Sequence, residues 1–119
     1  MADKIYDVFS ENCPSRKVLE IISNKWTILI IQKIAIKTYR FGELTREIGG
    51  VSKKVLSETL RSLECNGFII RKEYDVLPLK VEYSITELGK NLNIILTQIS
   101  DWAIENIDKI YNARQNYTR

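Results

Sequence analysis

Residues 49–67 decide the fold of this chain, and they read Gly-Gly-Val-Ser-Lys-Lys-Val-Leu-Ser-Glu-Thr-Leu-Arg-Ser-Leu-Glu-Cys-Asn-Gly. The paired glycines permit a tight turn, Ser52 is a favourable N-cap residue, and Gly67 is a typical helix stop. The stretch therefore predicts a helix of about four turns that begins directly after a glycine turn.

The predicted helix has two chemically different faces when its residues are placed at about 100° intervals. The apolar side consists of Val55, Leu56, Thr59, Leu60 and Leu63. The opposite side carries Lys54, Ser57, Glu58 and Arg61, with Lys53 on the flank. One face thus suits a hydrophobic core, and the cationic, hydrogen-bonding face suits DNA.

Composition places the chain among ordinary globular proteins. Its 119 residues fit one domain, with 45% hydrophobic and 28% charged residues. The net charge of +3 permits an anionic partner but does not identify one. We expect no signal peptide, no membrane association and a reducing cytoplasm, because the beginning is acidic, the apolar run at 28–31 is short, and there are only two cysteines.

Three further helices are predicted before residue 49. Pro14 suits the first position of one helix. We expect its buried stripe to be Val18, Leu19, Ile21 and Ile22. A second helix, from Lys25 to about Ile36, is apolar nearly all round and belongs at the centre of the core. A single strand bridge near Tyr39 and a short third helix at 41–48 follow.

After Gly67 the pattern changes from helical to extended. Residues 68–74 are rich in β-branched and aromatic side chains, and residues 81–85 alternate apolar with polar, which predicts a hairpin with a projecting loop at 75–80. Thr86 then caps a long helix. The order predicts a mainly α winged helix-turn-helix with a small β-hairpin wing. Its parts are an N-terminal arm or short helix at 1–12, the winged core at 13–85, a dimerisation helix at 86–112 and a tail at 113–119.

A series of short motifs in this order resembles the HxlR family of bacterial winged-helix regulators. In the first half these are Cys13-Pro14, Asn24-Lys25-Trp26-Thr27-Ile28-Leu29-Ile30 and Arg40-Phe41-Gly42-Glu43-Leu44. In the second half they are Val51-Ser52-Lys53-Lys54-Val55-Leu56, Leu60-Arg61-Ser62-Leu63-Glu64 with Gly67, and Pro78 with Val81-Glu82-Tyr83-Ser84-Ile85-Thr86 and Leu88-Gly89. The resemblance covers roughly residues 13–102 and implies a small dimeric DNA-binding transcription factor.

The candidate DNA contacts lie on the fourth helix and near it. Residues at the start of a recognition helix reach base edges in the major groove, and cations on the wing and turns bind phosphates. The base-edge candidates are Ser52, Lys53, Lys54, Ser57 and Arg61. The backbone candidates are Arg71, Lys72, Lys80, Lys25 and Arg40. Glu58 needs Arg61, Lys54 or a cytosine amino group as its partner. The alternative is a charged face that is only exposed to solvent.

The last helix is predicted to be about 25 residues, or roughly 37 Å, long, which exceeds the width of a domain of this size. We expect part of it, with the N-terminal arm, to bury against a second subunit of a symmetric homodimer that reads two half-sites. The interface candidates are Ile5, Val8, Phe9, Leu92, Ile95, Ile99, Trp102 and Ile107. The alternative is a stripe used wholly within one chain.

Cys13 is a candidate redox or electrophile sensor. It precedes a predicted helix N-terminus with Arg16 and Lys17 in the first turn, and both the helix dipole and the cations favour a thiolate. In some members of the resembled family a cysteine at this place senses oxidants or electrophiles. The alternative is an inert, half-buried residue. Cys65 is a weaker candidate, and we expect no intrachain disulfide.

Enzymatic functions are excluded by the inventory of residues. The chain contains no histidine, so it lacks a Ser-His dyad and a histidine-ligated metal site, and two distant cysteines cannot form a structural zinc site. We expect no metal and no cofactor, and no residue identifies a small-molecule effector. The predicted function is a sequence-specific transcriptional regulator on a pseudo-palindromic operator. The alternative is a winged-helix protein-interaction module without its own operator.

Overall fold

The computed structural model describes residues 6–118, and this part of the chain contains five helices and one hairpin. The elements in order are α1 (Pro14–Ile22), α2 (Lys25–Ile36), α3 (Phe41–Glu47), α4 (Lys53–Cys65), β1 (Ile69–Tyr74), β2 (Lys80–Ile85) and α5 (Glu87–Gln115). This order confirms the predicted winged helix-turn-helix. None of the helices within 6–118 combines the length and the apolar character that a membrane span requires.

Helix α2 lies at the centre of the core, as its nearly all-round apolar sequence predicts. It packs against α1, α4, α5 and β2. The side chains that fill this centre are at most 1% exposed, namely Ile30, Ile31, Ile34, Leu44, Leu56, Leu60, Leu63 and Leu96. Because α4 contributes three of these leucines, the direction of its outer face is fixed by the core.

The predicted helix caps are present. The Ser52 hydroxyl oxygen accepts a hydrogen bond from the Val55 N–H at 3.1 Å, and the Asn24 side chain accepts one from the Trp26 N–H at 2.9 Å. Gly50 and Gly67 have φ of 84° and 81°, in the left-handed region that glycine adopts without strain. These two glycines therefore set the turn before α4 and the exit from it.

The hairpin is tied to the helix-turn-helix by the predicted strand bridge. Tyr39 and Tyr83 exchange two backbone hydrogen bonds, with N···O distances of 2.9 and 2.8 Å. Tyr39 lies just before α3, while Tyr83 lies in β2. The base of the wing is thereby held at a fixed position relative to α3 and α4.

Two predictions about helices near the ends of the chain need correction. Helix α1 has no buried residue, and Val18 and Leu19 are each 46% exposed, because α1 packs mainly against α2 and its other side is open. Residues 6–12 form turns, which corresponds to the arm rather than the short helix of the two alternatives, and Val8 and Phe9 are exposed. Ile5 lies outside the described residues. Helix α5 runs to Gln115, past the predicted end at 112.

Candidate nucleic-acid interface

The outer face of α4 is built as the sequence predicts. Its three leucines are buried, Val55 and Thr59 beside them are half-buried, and the opposite side carries the exposed residues Lys53, Lys54, Ser57, Glu58 and Arg61. Ser52 accepts the cap hydrogen bond with its oxygen, and a hydroxyl group retains its own hydrogen for donation. The N-terminal turn of α4 therefore combines lysine side chains, helix dipole and a hydroxyl donor.

A groove of 370 Å³ lies between α4 and the wing. Ser57, Arg61 and Glu64 line it from α4, and Arg71 and Tyr83 line it from the hairpin. The two guanidinium groups reach this groove from different elements. Guanidinium groups bind oxyanions with paired N–H donors, so the two arginines can bind a phosphate group here, against the negative charge of Glu64.

The strand register explains why Arg71 faces this groove. Arg71 pairs directly across the hairpin with Tyr83, and paired residues of an antiparallel hairpin share one face. A hydrogen bond with the Tyr83 side chain raises the pKa of the Arg71 guanidinium, and the nearby carboxylates of Glu73 and Glu64 raise it further against the opposing effect of burial. Arg71 Nη2 also lies 3.6 Å from Glu73 Oε1.

Lys72 and Lys80 lie on the other face of the hairpin. The register pairs Lys72 with Glu82 and Tyr74 with Lys80, which places all four side chains together. Both lysine Nζ atoms lie near the Tyr74 ring, at 4.8 and 4.6 Å from its centroid. A hydrogen bond to Glu82, together with burial, raises the pKa of Tyr74. The three predicted wing cations are thus divided between two faces.

The tip of the wing is apolar. Residues 75–79 carry no cation, and the side chains of Val76, Leu77 and Leu79 are 50%, 99% and 63% exposed. Lys80, predicted within the loop, is the first residue of β2. Phosphate contacts of the wing are therefore available along its strands rather than at its tip.

Lys25 and Arg40 lie at the beginnings of helices, outside the α4 groove. Lys25 is exposed, with its Nζ 4.8 Å from the Trp26 ring centroid, and the Trp26 ring lies against the Gly50 turn. The backbone N–H of Arg40 donates to Glu43 Oε1 at 2.9 Å, and Arg40 is exposed to solvent. Both cations are placed beside the helix-turn-helix rather than on its recognition face.

Glu58 is the acidic residue among the α4 cations, and within residues 6–118 it forms no ion pair. It lies where a cleft between α1, α2 and α4 meets the outer face of α4, and Glu20 and Thr27 also line that cleft. The pairing considered for it, with Arg61 or Lys54, is absent from this described part of the chain.

Both cysteines are free thiols. Cys13, the residue before α1, is 6% exposed. It is therefore buried, whereas the alternative to a sensor role described it as half-buried. Cys65 is exposed at the last residue of α4. Between residues 6 and 118, no group of acidic or cysteine side chains has the arrangement of a metal site.

Comparisons with known proteins identify a family for this chain. Residues 21–111 match the family model described as HxlR-like helix-turn-helix. YtfH of Escherichia coli K12, described as an uncharacterized HTH-type transcriptional regulator, is 40% identical over 108 residues, covering 91% of this chain and 86% of YtfH. The structure of ytfH from Salmonella typhimurium superposes with a TM-score of 0.88 at 38% identity, over 94% of this chain and 100% of that one. The redox regulator HypR in its reduced form gives a TM-score of 0.76 at 32% identity, over 83% and 98%.

Proposed function

The chain belongs to the HxlR-like helix-turn-helix family of transcriptional regulators, and on that premise we propose that it binds a pseudo-palindromic DNA operator as a homodimer. Proteins of this family are regulators rather than enzymes, in agreement with a sequence that has no histidine. The observation that supports the DNA-bound arrangement is the exposed cationic face of α4, whose opposite face is locked into the core.

In the proposed complex α4 enters the major groove with its N-terminal turn foremost. Lys53, Lys54 and Ser57 then meet base edges, and the positive end of the helix dipole faces a phosphate. Arg61 lies further along α4, beside the wing. Lys25 and Arg40 flank the helix-turn-helix and contact the DNA backbone, which positions α4 without reading sequence.

The wing contributes from two faces. Arg71 joins Arg61 in the groove between α4 and the hairpin, whereas Lys72 and Lys80 present their charge from the opposite face. Cations on both faces of a narrow hairpin can reach phosphates of the two strands that border one DNA groove. The wing therefore acts through backbone contacts in this proposal.

The homodimer is supported by the unpartnered apolar surface of α5. This helix is 29 residues, roughly 43 Å, long, yet its buried residues are only Gly89, Leu92 and Leu96. Ile95, Ile99 and Trp102 line an open groove of 310 Å³ on its surface. The radius of gyration is 17.5 Å, whereas a compact chain of this length has about 13.5 Å, so the far end of α5 projects from the domain.

The proposed interface differs in two places from the sequence prediction. Leu92 is 6% exposed within the single chain, so its side chain belongs to the monomer core and has little surface for a partner. Val18 and Leu19 of α1 were predicted to lie in the core, but they are exposed and add apolar surface to the proposed interface. A contiguous exposed apolar surface is typical of an interface.

The DNA proposal is tested by measuring operator affinity, from fluorescence anisotropy with upstream DNA, over a range of salt concentrations. The logarithm of the affinity should fall with the logarithm of salt, with a slope of about −0.9 for each phosphate neutralised. The double variant Lys54→Ala/Arg61→Ala should bind much more weakly. Lys90→Ala/Arg114→Ala removes the same charge from α5 and should bind as the wild type does.

A response to oxidants through Cys13 is part of the proposal. It is supported by the similarity to HypR, which is described as a redox regulator, and by the place of Cys13 at the start of α1, whose outer face adjoins the proposed interface. Diamide should lower or raise the operator affinity of the wild type and of Cys65→Ser. An equal response from Cys13→Ser would exclude Cys13 as the sensor.

A further inference from the structure

The groove between α4 and the wing contains an aromatic hydroxyl beside its two arginines. Tyr83 and Arg71 lie directly opposite each other on neighbouring strands and line the groove together with Arg61. The sequence patterns that include Tyr83 gave it no functional role, because a tyrosine in an alternating strand is ordinarily only a core residue. Its function in the groove depends on the register that brings it next to Arg71.

The Tyr83 side chain is held more firmly than the arginine it faces. It is 9% exposed, and its backbone N–H and carbonyl are both hydrogen-bonded to Tyr39, which lies two residues before α3. Arg71 is on the exposed part of the wing. The phenol is therefore fixed relative to α3 and α4, and a contact with it can hold the flexible Arg71 guanidinium in one place.

Arg71 has a second possible partner on the same face of the hairpin. Glu73 lies two residues further along the same strand, and its carboxylate is 3.6 Å from the Arg71 guanidinium. Arg61 also repels Arg71, because both carry a positive charge in one groove. Glu73 and the groove-lining Glu64 attract the Arg71 guanidinium and Arg61 repels it, so a fixed contact is needed to give Arg71 one orientation in the groove.

We propose that Tyr83 is a positioning residue that holds the Arg71 guanidinium in the groove, so that Arg71 and Arg61 together bind one DNA phosphate group. In the proposed arrangement one guanidinium N–H donates to the phenol oxygen, and the other N–H groups remain available for the phosphate. Holding the side chain before binding reduces the conformational entropy lost in the complex. The proposal rests on the DNA binding proposed above.

A double-mutant cycle tests this assignment. Operator affinity and its salt slope are measured for wild type, Tyr83→Phe, Arg71→Ala and the double variant. Loss of one hydrogen bond predicts that Tyr83→Phe binds about 3- to 10-fold more weakly. Arg71→Ala should flatten the salt slope by about 0.9. Because Tyr83 acts through Arg71, the double variant should bind no more weakly than Arg71→Ala alone.

Two controls separate positioning from folding. Tyr117→Phe removes the same hydroxyl from the exposed C-terminal end and should leave affinity unchanged. Tyr83→Phe keeps the ring, and its thermal midpoint shows whether the domain stays folded. If that midpoint falls, Arg71→Lys replaces it as the probe. Lysine keeps the charge but cannot reach phenol and phosphate at once, so the salt slope should persist while the affinity falls about 3-fold or more.

The possible failures are distinguishable. A wild-type protein that shows no salt-dependent operator binding would overturn the proposed function and this proposal with it. A wild type that binds normally, with Tyr83→Phe equal to it, would overturn only the positioning by Tyr83. Additive losses in the double variant would also overturn it, because they would show that Tyr83 acts independently of Arg71.

Discussion

Glu58 is the residue whose chemistry discriminates most sharply between a DNA-facing helix and a merely solvated one. A carboxylate that points at the DNA backbone is repelled, whereas a carboxylate in the major groove can accept a hydrogen bond from a cytosine amino group. The structure leaves Glu58 exposed on α4 without an ion pair among residues 6–118. Its place on the outer face of α4 allows a contact with a base, and that contact can be tested by substitution.

Replacing Glu58 should separate affinity from specificity. Glu58→Ala removes a negative charge near DNA, so binding to unrelated DNA should become tighter. At the same time discrimination at one C·G pair should fall, by about 1–3 kcal/mol if the carboxylate contacts that base. Competition of operator against single-base variants measures this. An unchanged preference at every position would remove Glu58 from the base contacts.

Glu43 makes the stability of α3 depend on pH. A hydrogen bond from the Arg40 N–H lowers the pKa of the Glu43 carboxyl, and the Lys37 ammonium, 3.3 Å away, lowers it further. A folded-state pKa below the unfolded one means that this stabilisation is present above the unfolded pKa. It is lost as the pH falls through the folded pKa, below the ordinary range of a carboxyl group.

Glu43→Gln keeps an oxygen that can cap α3 but removes the charge. The variant should have a lower thermal midpoint than the wild type near pH 7, and the difference should shrink as the pH is lowered into the acid range. Thermal unfolding monitored by circular dichroism at several pH values measures it. A difference that stays constant down to acid pH would show that the Glu43 charge does not stabilise the fold.

At the scale of the elements, the start of α5 is packed directly on the hairpin. The Thr86 hydroxyl caps α5 by accepting from the Gly89 N–H at 3.0 Å, and it donates to the Gly67 carbonyl at 2.7 Å. A Cβ atom on Gly89 would collide with the backbone carbonyl of Phe68 and would lie 2.6 Å from Ile85 Cγ1. A backbone carbonyl cannot swing aside as a long side chain can, so this contact requires glycine.

Gly89→Ala should therefore lower the free energy of unfolding by about 1–3 kcal/mol, the usual cost of overpacking. Gly49→Ala is the matched control, because a Cβ atom on Gly49 meets nothing within 4 Å. That control should change stability by no more than about 0.5 kcal/mol. Urea unfolding of both variants decides the matter, and equal stabilities would contradict the packing of α5 on Phe68.

Sequence periodicity is sufficient to identify the helices, their caps and the hairpin, because these depend on local residue patterns. It cannot show which wing cation faces α4, since a shift of one residue in register would place Lys72 there instead of Arg71. The apolar stripe of α1 was predicted to lie in the core, because the sequence pattern is the same whether the stripe packs against its own chain or against another subunit. The groove shared by Arg61 and Arg71 required the tertiary structure.

At the scale of the whole molecule, the projecting part of α5 is expected to hold two subunits together. The double variant Ile99→Glu/Trp102→Glu places charges in the proposed interface and should be monomeric at micromolar concentration, with weakened operator binding. Ile104→Glu is the matched control, because Ile104 is 71% exposed on the roughly opposite side of α5. Sedimentation equilibrium measures the mass, and a double variant that remains dimeric would place the interface elsewhere.

The most direct measurement of the central claim is a hydroxyl-radical footprint of the wild-type protein on its upstream DNA. A symmetric dimer that inserts two copies of α4 predicts two protected patches with their centres about 10 base pairs, or one helical turn, apart or a multiple of it, on one side of the duplex. Lys54→Ala/Arg61→Ala should abolish both patches together. A single protected patch, or uniform protection without symmetry, would contradict the account.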